Sequence, residues 1–347
     1  VNKQGLIETV GSGIPRIDFS DDSDGALLLE NSATNLIPYS EALNISYAPT
    51  NMTQTSDYGT SPDGSLTSTR LVLDNLTDSR SFNNTSLVNG TEYTFSAYYK
   101  GVSGEKTYMY FLSSTGGTTL SKEITFNGNW QRESITFTAG SVSNYTYIVD
   151  VRQGASTATD FEVWGASLEE NSYSTSYIKT VGTAQTRVAD TANGAGNSTV
   201  INSSEGTLYA EISALNSVTS PSSYITISDG TYNNRASILF SSGGTNQIRT
   251  FLRVGGATQI DVSDNVSDVT DFNKIAFSYK LNDFKVYING TLVSSDTSGS
   301  VWSADTITKL SFSEINTNSG AFNGKTKSVQ VYTTALSDAE LISLTTI

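Results

Sequence analysis

The stretch Phe284-Lys285-Val286-Tyr287-Ile288-Asn289-Gly290-Thr291-Leu292-Val293 decides the fold class. Two runs rich in β-branched and aromatic residues flank an Asn-Gly pair. Asn-Gly supplies positive φ at both central turn positions, which matches the twist of antiparallel strands, so the stretch predicts a β-hairpin. The same period-two pattern recurs along the chain. Tyr93, Phe95, Ala97 and Tyr99 alternate with Thr94, Ser96, Tyr98 and Lys100. Tyr145, Tyr147, Val149 and Val151 alternate with Thr146, Ile148, Asp150 and Arg152. Ile248, Thr250, Leu252 and Val254 alternate with Arg249, Phe251 and Arg253, and Ile275, Phe277 and Tyr279 with Ala276, Ser278 and Lys280. Successive strand side chains point to opposite faces, so each run reads as a half-buried strand. The five prolines sit near segment edges, as they must where every strand amide is needed for pairing. One helix is expected, at Ser337-Asp338-Ala339-Glu340-Leu341-Ile342, where Ser337 and Glu340 make a capping box.

The expected fold is therefore all-β, with two tandem antiparallel β-sandwich (jelly-roll) domains and an extended N-terminal arm. Composition places the boundaries. The arm covers residues 1–35, a first strand set 36–180, a small polar linker 181–203 and a second strand set 204–347.

The 347 residues carry 20 basic and 34 acidic side chains, a net charge of −14, and contain neither histidine nor cysteine. Without them there is no Ser-His-Asp triad, thiol nucleophile, disulfide or ordinary zinc site. The acidic balance argues against nucleic acid, whose phosphates demand Lys and Arg. The longest apolar run, around Leu27-Leu28-Leu29, is far short of the roughly 20 residues that span a bilayer, so no membrane insertion is expected. Val1-Asn2-Lys3-Gln4-Gly5 has neither the basic region nor the apolar core of a signal peptide.

Several separated motifs occur in a recognisable order: Gly5-Leu6-Ile7-Glu8, Pro15-Arg16-Ile17-Asp18-Phe19, Leu27-Leu28-Leu29-Glu30, Asn35-Leu36-Ile37-Pro38-Tyr39-Ser40-Glu41, Ser61-Pro62-Asp63-Gly64, Phe161-Glu162-Val163-Trp164-Gly165-Ala166-Ser167-Leu168-Glu169-Glu170, Thr175-Ser176-Tyr177-Ile178-Lys179-Thr180 and Thr186-Arg187-Val188-Ala189-Asp190. This order resembles a module of bacteriophage tail and prophage-encoded proteins that is similar to carbohydrate-binding jelly rolls. The second half resembles the laminin-G-like, concanavalin A-like lectin/glucanase group through Phe284 to Val293, Phe322-Asn323-Gly324-Lys325, Val329-Gln330-Val331-Tyr332 and Ala335 to Leu341. That group holds glucanases, lectins and structural spacers, so the resemblance speaks to fold more than to ligand. The jelly-roll resemblance implies a structural calcium ion near the first and last strands, with Glu41 and Asp160 as the first candidate ligands. Relatives of this kind are commonly trimers, which implies a homo-oligomer.

A glycosidase needs two carboxylates across the scissile bond, one with a raised pKa. The Glu-x-Asp-x-x-Glu strand of the glucanases does not occur in residues 204–347. Asp160 and Glu162 share a face beside Phe161, as a catalytic pair or, more commonly for such a pattern, a solvated edge. A lyase using Tyr with Arg or Lys remains compatible with 18 tyrosines, though no motif supports it. Asp261, Asp264, Asp268 and Asp271 read as one loop, either a solvated turn or a metal loop. Asp21-Asp22-Ser23-Asp24-Gly25 lacks EF-hand spacing and reads as an acidic turn. Sugar binding needs aromatic platforms beside planar polar groups. Tyr98 and Lys100 occupy the polar face of one strand, Asp150 and Arg152 that of another. If those faces coincide they make a carbohydrate-binding surface; otherwise each is an ordinary solvated face.

The function expected from these features is that of a non-enzymatic phage virion component. It would belong to a tail fibre, baseplate or similar appendage on the virion surface, bind host-surface glycan or present a module that does, and contact other virion proteins. Alternatives are a polysaccharide-degrading glycosidase or lyase with an attached carbohydrate-binding module, and a structural spacer or capsid decoration.

Overall fold

The computed structural model describes residues 1–113, 117, 119–217, 221–315, 317 and 319–347. It is nearly all β, 46% strand and 4% helix, so the antiparallel β-sandwich class read from the sequence holds. The chain divides into two compact bodies. The first comprises Val1–Thr9 with Ser32–Val188, the second Val10–Asn31 with Ala189–Ile347.

The first body is two five-stranded antiparallel sheets. The front sheet runs in the order Leu120–Thr125, Lys106–Ser113, Asn144–Asp150, Arg80–Thr85, Ala48–Thr50. The back sheet runs Gln131–Thr138, Glu92–Lys100, Asp160–Glu169, Thr69–Leu73, Met52–Thr55. The apolar phase of the Glu92–Lys100 strand explains the packing. Tyr93, Phe95, Ala97 and Tyr99 all point into the core, where they meet Met109 and Phe111 of the front sheet. Phe111 stacks on Phe137 with centroids 3.4 Å apart, and the Tyr99 hydroxyl crosses the sandwich to donate to the Ile148 carbonyl at 2.9 Å. Each fully buried ring of this kind stabilises the fold by about 1.5–3 kcal/mol.

One strand departs from strict alternation. In Asn144–Asp150, Tyr147 stands opposite Phe82 and Val149 opposite Ser81, so Ile148 is an extra residue. Such a bulge resets which face each later side chain takes. Ile148 and Val149 both enter the core, and Tyr145, Tyr147 and Asp150 share the outward face. Strict alternation from Val149 would put the two tyrosines on the buried side and Ile148 on the polar side. The bulge reverses that assignment.

The second body also has two sheets. Seven strands run Ile17–Asp18, Ala26–Leu29, Gly324–Tyr332, Glu205–Ala214, Asn273–Lys280, Asp283–Ile288, Thr291–Asp296, and five run Ala257–Asn265, Gln247–Val254, Arg235–Phe240, Ser223–Ser228, Lys309–Ser311. The Asn-Gly hairpin forms as expected, with φ of 49° at Asn289 and 79° at Gly290 and Ile288 paired to Thr291. The tail forms the helix Asp338–Thr345. Its capping box is present, with Glu340 accepting from the Ser337 amide at 2.8 Å. Leu341 of this helix is fully buried on Tyr209, Ala276 and Tyr287, on the outer side of the seven-stranded sheet.

Segments read as arm and linker take part in these bodies. Ala26–Leu29 is a strand bonded to Gly324–Tyr332, Gln185–Arg187 pairs with Ala33–Asn35, and Ile201 is 1% exposed in the second core. The acidic turn faces lysines, with Asp21 on Lys325 and Asp22 on Lys327. Asp261 and Asp264 are strand residues, because the hairpin turn comes earlier, at Gly255-Gly256. Only Asp268 and Asp271 of that group lie in the loop after the strand, where Asp268 accepts from the Thr270 amide at 2.8 Å.

Candidate functional site

The outward side of the front sheet is a surface of rings. Residues paired across strands share a face, so register alone places Tyr110, Tyr147 and Phe82 in one row over three adjacent strands. Their centroids are 5.3 Å apart for Tyr110 and Tyr147 and 5.5 Å for Phe82 and Tyr147. Tyr145 stands one step along, edge-on to Phe82 at 5.9 Å. On the other side of the row, Tyr108 donates from its hydroxyl to Glu123 at 2.7 Å, and Lys106 donates to the same carboxylate at 2.6 Å. Gly154 permits this arrangement, since a Cβ there would come within 2.2 Å of the Tyr108 ring.

Burial grades across this surface. Tyr110 and Tyr147 are 8% and 6% exposed, so they form its floor. Tyr108, Tyr145 and Phe82 are half-buried and form its accessible rim.

Polar groups border the rings. Asp150 is wholly buried, and its carboxylate accepts from Arg152 Nε at 2.9 Å, Arg152 Nη2 at 2.7 Å and the Arg152 amide at 3.1 Å. Gln153 adds a fourth donor at 3.3 Å. This anchors the Arg152 guanidinium, itself 37% exposed, 5.9 Å from the centre of the Tyr147 ring. The hydrogen bond to Asp150 raises the Arg152 pKa further above its already high value. Burial raises the phenol pKa values of Tyr110 and Tyr147, and the hydrogen bond to Glu123 raises that of Tyr108. All three therefore remain hydroxyl donors at neutral pH. The arrangement offers flat apolar rings with fixed donors and acceptors beside them, and holds its own charges in neutral pairs.

Of the four residues proposed to bind sugar, the structure brings two together. Asp150 and Arg152 lie on the front sheet, while Tyr98 and Lys100 lie on the back sheet, on the far side of the core. The two polar faces do not coincide, because strands of equal periodicity were recruited to opposite sheets. Tyr98 instead packs with Trp164 at 5.5 Å and Tyr177 at 6.5 Å, under the Arg132 guanidinium at 5.4 Å. Trp164 is fully buried there. Lys100 reaches Glu162 at 3.8 Å and lies 5.9 Å from the Trp130 ring.

The two carboxylates expected to hold calcium both face cations. Glu41 accepts from Lys179 at 2.7 Å and from the Tyr177 hydroxyl at 3.0 Å, at the side of a cleft of about 380 Å³ lined also by Tyr39, Asn44 and Asp57. Asp160 binds Arg70 through both oxygens, and the hydrogen bond from Arg70 lowers its pKa. Calcium needs six to eight oxygens, and here it would have to displace Lys179 or Arg70 to reach these two. Among the described residues no three Asp or Glu side chains are grouped as metal ligands.

Phe82, Tyr108, Tyr110, Tyr145 and Tyr147 were not among the site residues expected from the sequence. The available signal was Ile148, an apolar β-branched residue out of phase with its strand.

Comparison with known proteins concerns the fold. No curated protein matches the chain. Among solved structures, the carbohydrate-binding module (CBM40) of the Ruminococcus gnavus IT-sialidase, bound to α2,3-sialyllactose, aligns with 45% of this chain and 94% of its own, at 19% identity and a TM-score of 0.37. Domain 4 of AbnA, an extracellular arabinanase of Geobacillus stearothermophilus in complex with arabinotriose, aligns with 47% and 73%, at 14% identity and 0.35. Residues 189–342 match the family model described as the concanavalin A-like lectin/glucanases superfamily, which accounts for most of the second body.

Proposed function

We propose that the chain is a non-enzymatic, glycan-binding part of a bacteriophage surface appendage, and that the front sheet of the first body holds the sugar. The observation that carries this reading is the row Tyr110–Tyr147–Phe82 beside the anchored Asp150–Arg152 pair. The apolar face of a pyranose stacks on such rings, and its hydroxyls bond to guanidinium, carboxylate and phenol groups. The lectin/glucanase match of residues 189–342 is compatible with this role, although a fold of that group does not by itself fix an activity.

A binding rather than bond-breaking role is supported by the state of the nearby acids. Hydrogen bonding by Lys106 holds the Glu123 carboxyl below its usual range, and Asp150 is saturated by donors. A carboxyl held low, as Glu123 is, is unlike the raised-pKa acid that glycoside hydrolysis requires. The phage assignment is supported by the motif order from Gly5 to Asp190. Display in several copies, as in a trimeric fibre, would turn a weak single contact into firm attachment.

The test is calorimetric titration of the whole chain with a panel of neutral oligosaccharides, repeated with Tyr145→Ala and Arg152→Ala. At least one sugar is expected to bind, and each substitution to weaken it by about tenfold, which is 1.4 kcal/mol. A panel with no binder, or binding indifferent to both substitutions, would remove the front sheet from the account. Incubation with the corresponding polysaccharides is expected to release no new reducing ends or unsaturated products. Release that disappears in a Glu123→Gln variant would make the protein an enzyme.

A further inference from the structure

We propose that the outward face of the five-stranded sheet in the second body is a separate site for a carboxylate-bearing sugar. It rests on different residues from the front sheet and does not depend on that reading.

The strand Gln247–Val254 sends Ile248 and Leu252 into the core and Arg249, Phe251 and Arg253 outward. Register then assembles a row of cations. Arg253 is opposite Arg235, Arg235 is opposite Ser228, and Ser228 is opposite Lys309. In the adjoining row Phe251 stands between Ser237 and Asp261. The Phe251 ring is the common support, with the guanidinium carbons of Arg235, Arg249 and Arg253 at 4.9, 5.3 and 5.7 Å from its centre. Cation–π attraction of this kind holds guanidinium groups against a ring.

Four of the chain's 20 basic residues gather on this face of a protein whose net charge is −14. Like charges in such proximity repel, so the arrangement needs anions. Two are supplied internally: Glu314 accepts from Arg235 at 2.9 Å, and Asp261 accepts from Arg249 Nε at 2.7 Å. Arg253 and Lys309 have no carboxylate at ion-pair distance among the described residues. The Nε groups of Arg253 and Arg235 are moreover buried without a hydrogen-bond acceptor, and Arg235 is only 4% exposed.

The ligand class follows from the donor geometry. A guanidinium fork matches a carboxylate through two parallel bonds. Tyr232, 46% exposed and 5.0 Å from the Arg235 guanidinium, offers a ring at the margin for the body of a sugar. Long polyanions are disfavoured by the charge of the whole chain, so a discrete acidic saccharide fits better than a nucleic acid.

The experiment titrates the intact chain with 3′-sialyllactose and with trigalacturonate, using lactose and inorganic sulfate as controls. At least one of the two acidic sugars is expected to bind about tenfold or more tightly than lactose, and Arg253→Ala to abolish that preference. Arg253→Lys is expected to restore little of it, because an ammonium lacks the fork. Both variants are checked for an unchanged melting transition. Tyr145→Ala, in the other body, is expected to leave acidic-sugar affinity unchanged, so this site and the front sheet fail or stand separately. The proposal is overturned if neither acidic sugar outbinds lactose, if Arg253→Ala binds as the parent does, or if sulfate binds as well as both sugars.

Discussion

The outward faces of the front sheet and of the second body's five-stranded sheet are built from the same parts and differ in chemical character. Each is a set of antiparallel strands with its apolar phase turned into a sandwich core. On the front sheet the rings contact one another and the charges are already paired, as in Asp150–Arg152 and Lys106–Glu123. On the five-stranded sheet a single ring, Phe251, lies beneath three guanidinium groups, and the positive charge exceeds the acids beside it. The scaffold sets where outward side chains stand; their identity sets whether shape or charge is offered to a ligand. One face suits a neutral sugar held by stacking, the other an acidic sugar held by salt-sensitive forks.

The largest test of this contrast is Asp150→Ala. It leaves Arg152 without its anchor and removes a buried acceptor of four donors, so it is expected to destabilise the first body by about 2–3 kcal/mol. Neutral-sugar binding should be lost with it, while acidic-sugar binding by the second body is retained. Denaturant titration with both ligands checks this, and an unchanged midpoint would mean that the Asp150 network contributes nothing.

Ionic strength should separate the faces next. Raising salt from about 20 to 300 mM shortens the screening length severalfold and is expected to weaken acidic-sugar binding by about tenfold, and neutral-sugar binding by less than about twofold. Equal salt dependence would erase the distinction.

A smaller effect is expected from Phe251→Leu, which keeps an apolar side chain but removes the π face under the arginines. Acidic-sugar affinity should fall by about three- to fivefold, in line with roughly 0.5–1 kcal/mol for a partly exposed cation–π contact. An unchanged affinity would show that the ring does not organise the guanidinium groups.

The smallest effect concerns pH. The chain has no histidine, and the front-sheet phenols Tyr108, Tyr110 and Tyr147 are held above their usual range. Neutral-sugar affinity is therefore expected to stay within about twofold from pH 5 to 9, since that window otherwise belongs to histidine. A titration step inside it would place an unrecognised ionisable group in the site.

Much of the fold was legible because its signals are local. Asn289-Gly290 needed only its own two positive φ values, Ser337 with Glu340 only one helical turn, and the inward set Tyr93, Phe95, Ala97 and Tyr99 only a strand's pleat. The site was less legible because it is made by pairing between distant segments. Nothing near Tyr98 or Asp150 tells which sheet each strand joins, and the cation row from Lys309 to Arg253 exists only through three registers. The bulge at Ile148 was the decisive obscurity, since one inserted residue turns Tyr145 and Tyr147 from expected core into outward surface.

The measurement that bears most directly on the account is a backbone and aromatic NMR titration of the whole chain with whichever neutral oligosaccharide binds. Signals of Tyr108, Tyr145, Tyr147 and Arg152 are expected to shift together along one binding curve while those of Tyr98 and Lys100 stay in place. Shifts centred on Tyr98 and Lys100, or confined to the second body, would contradict it.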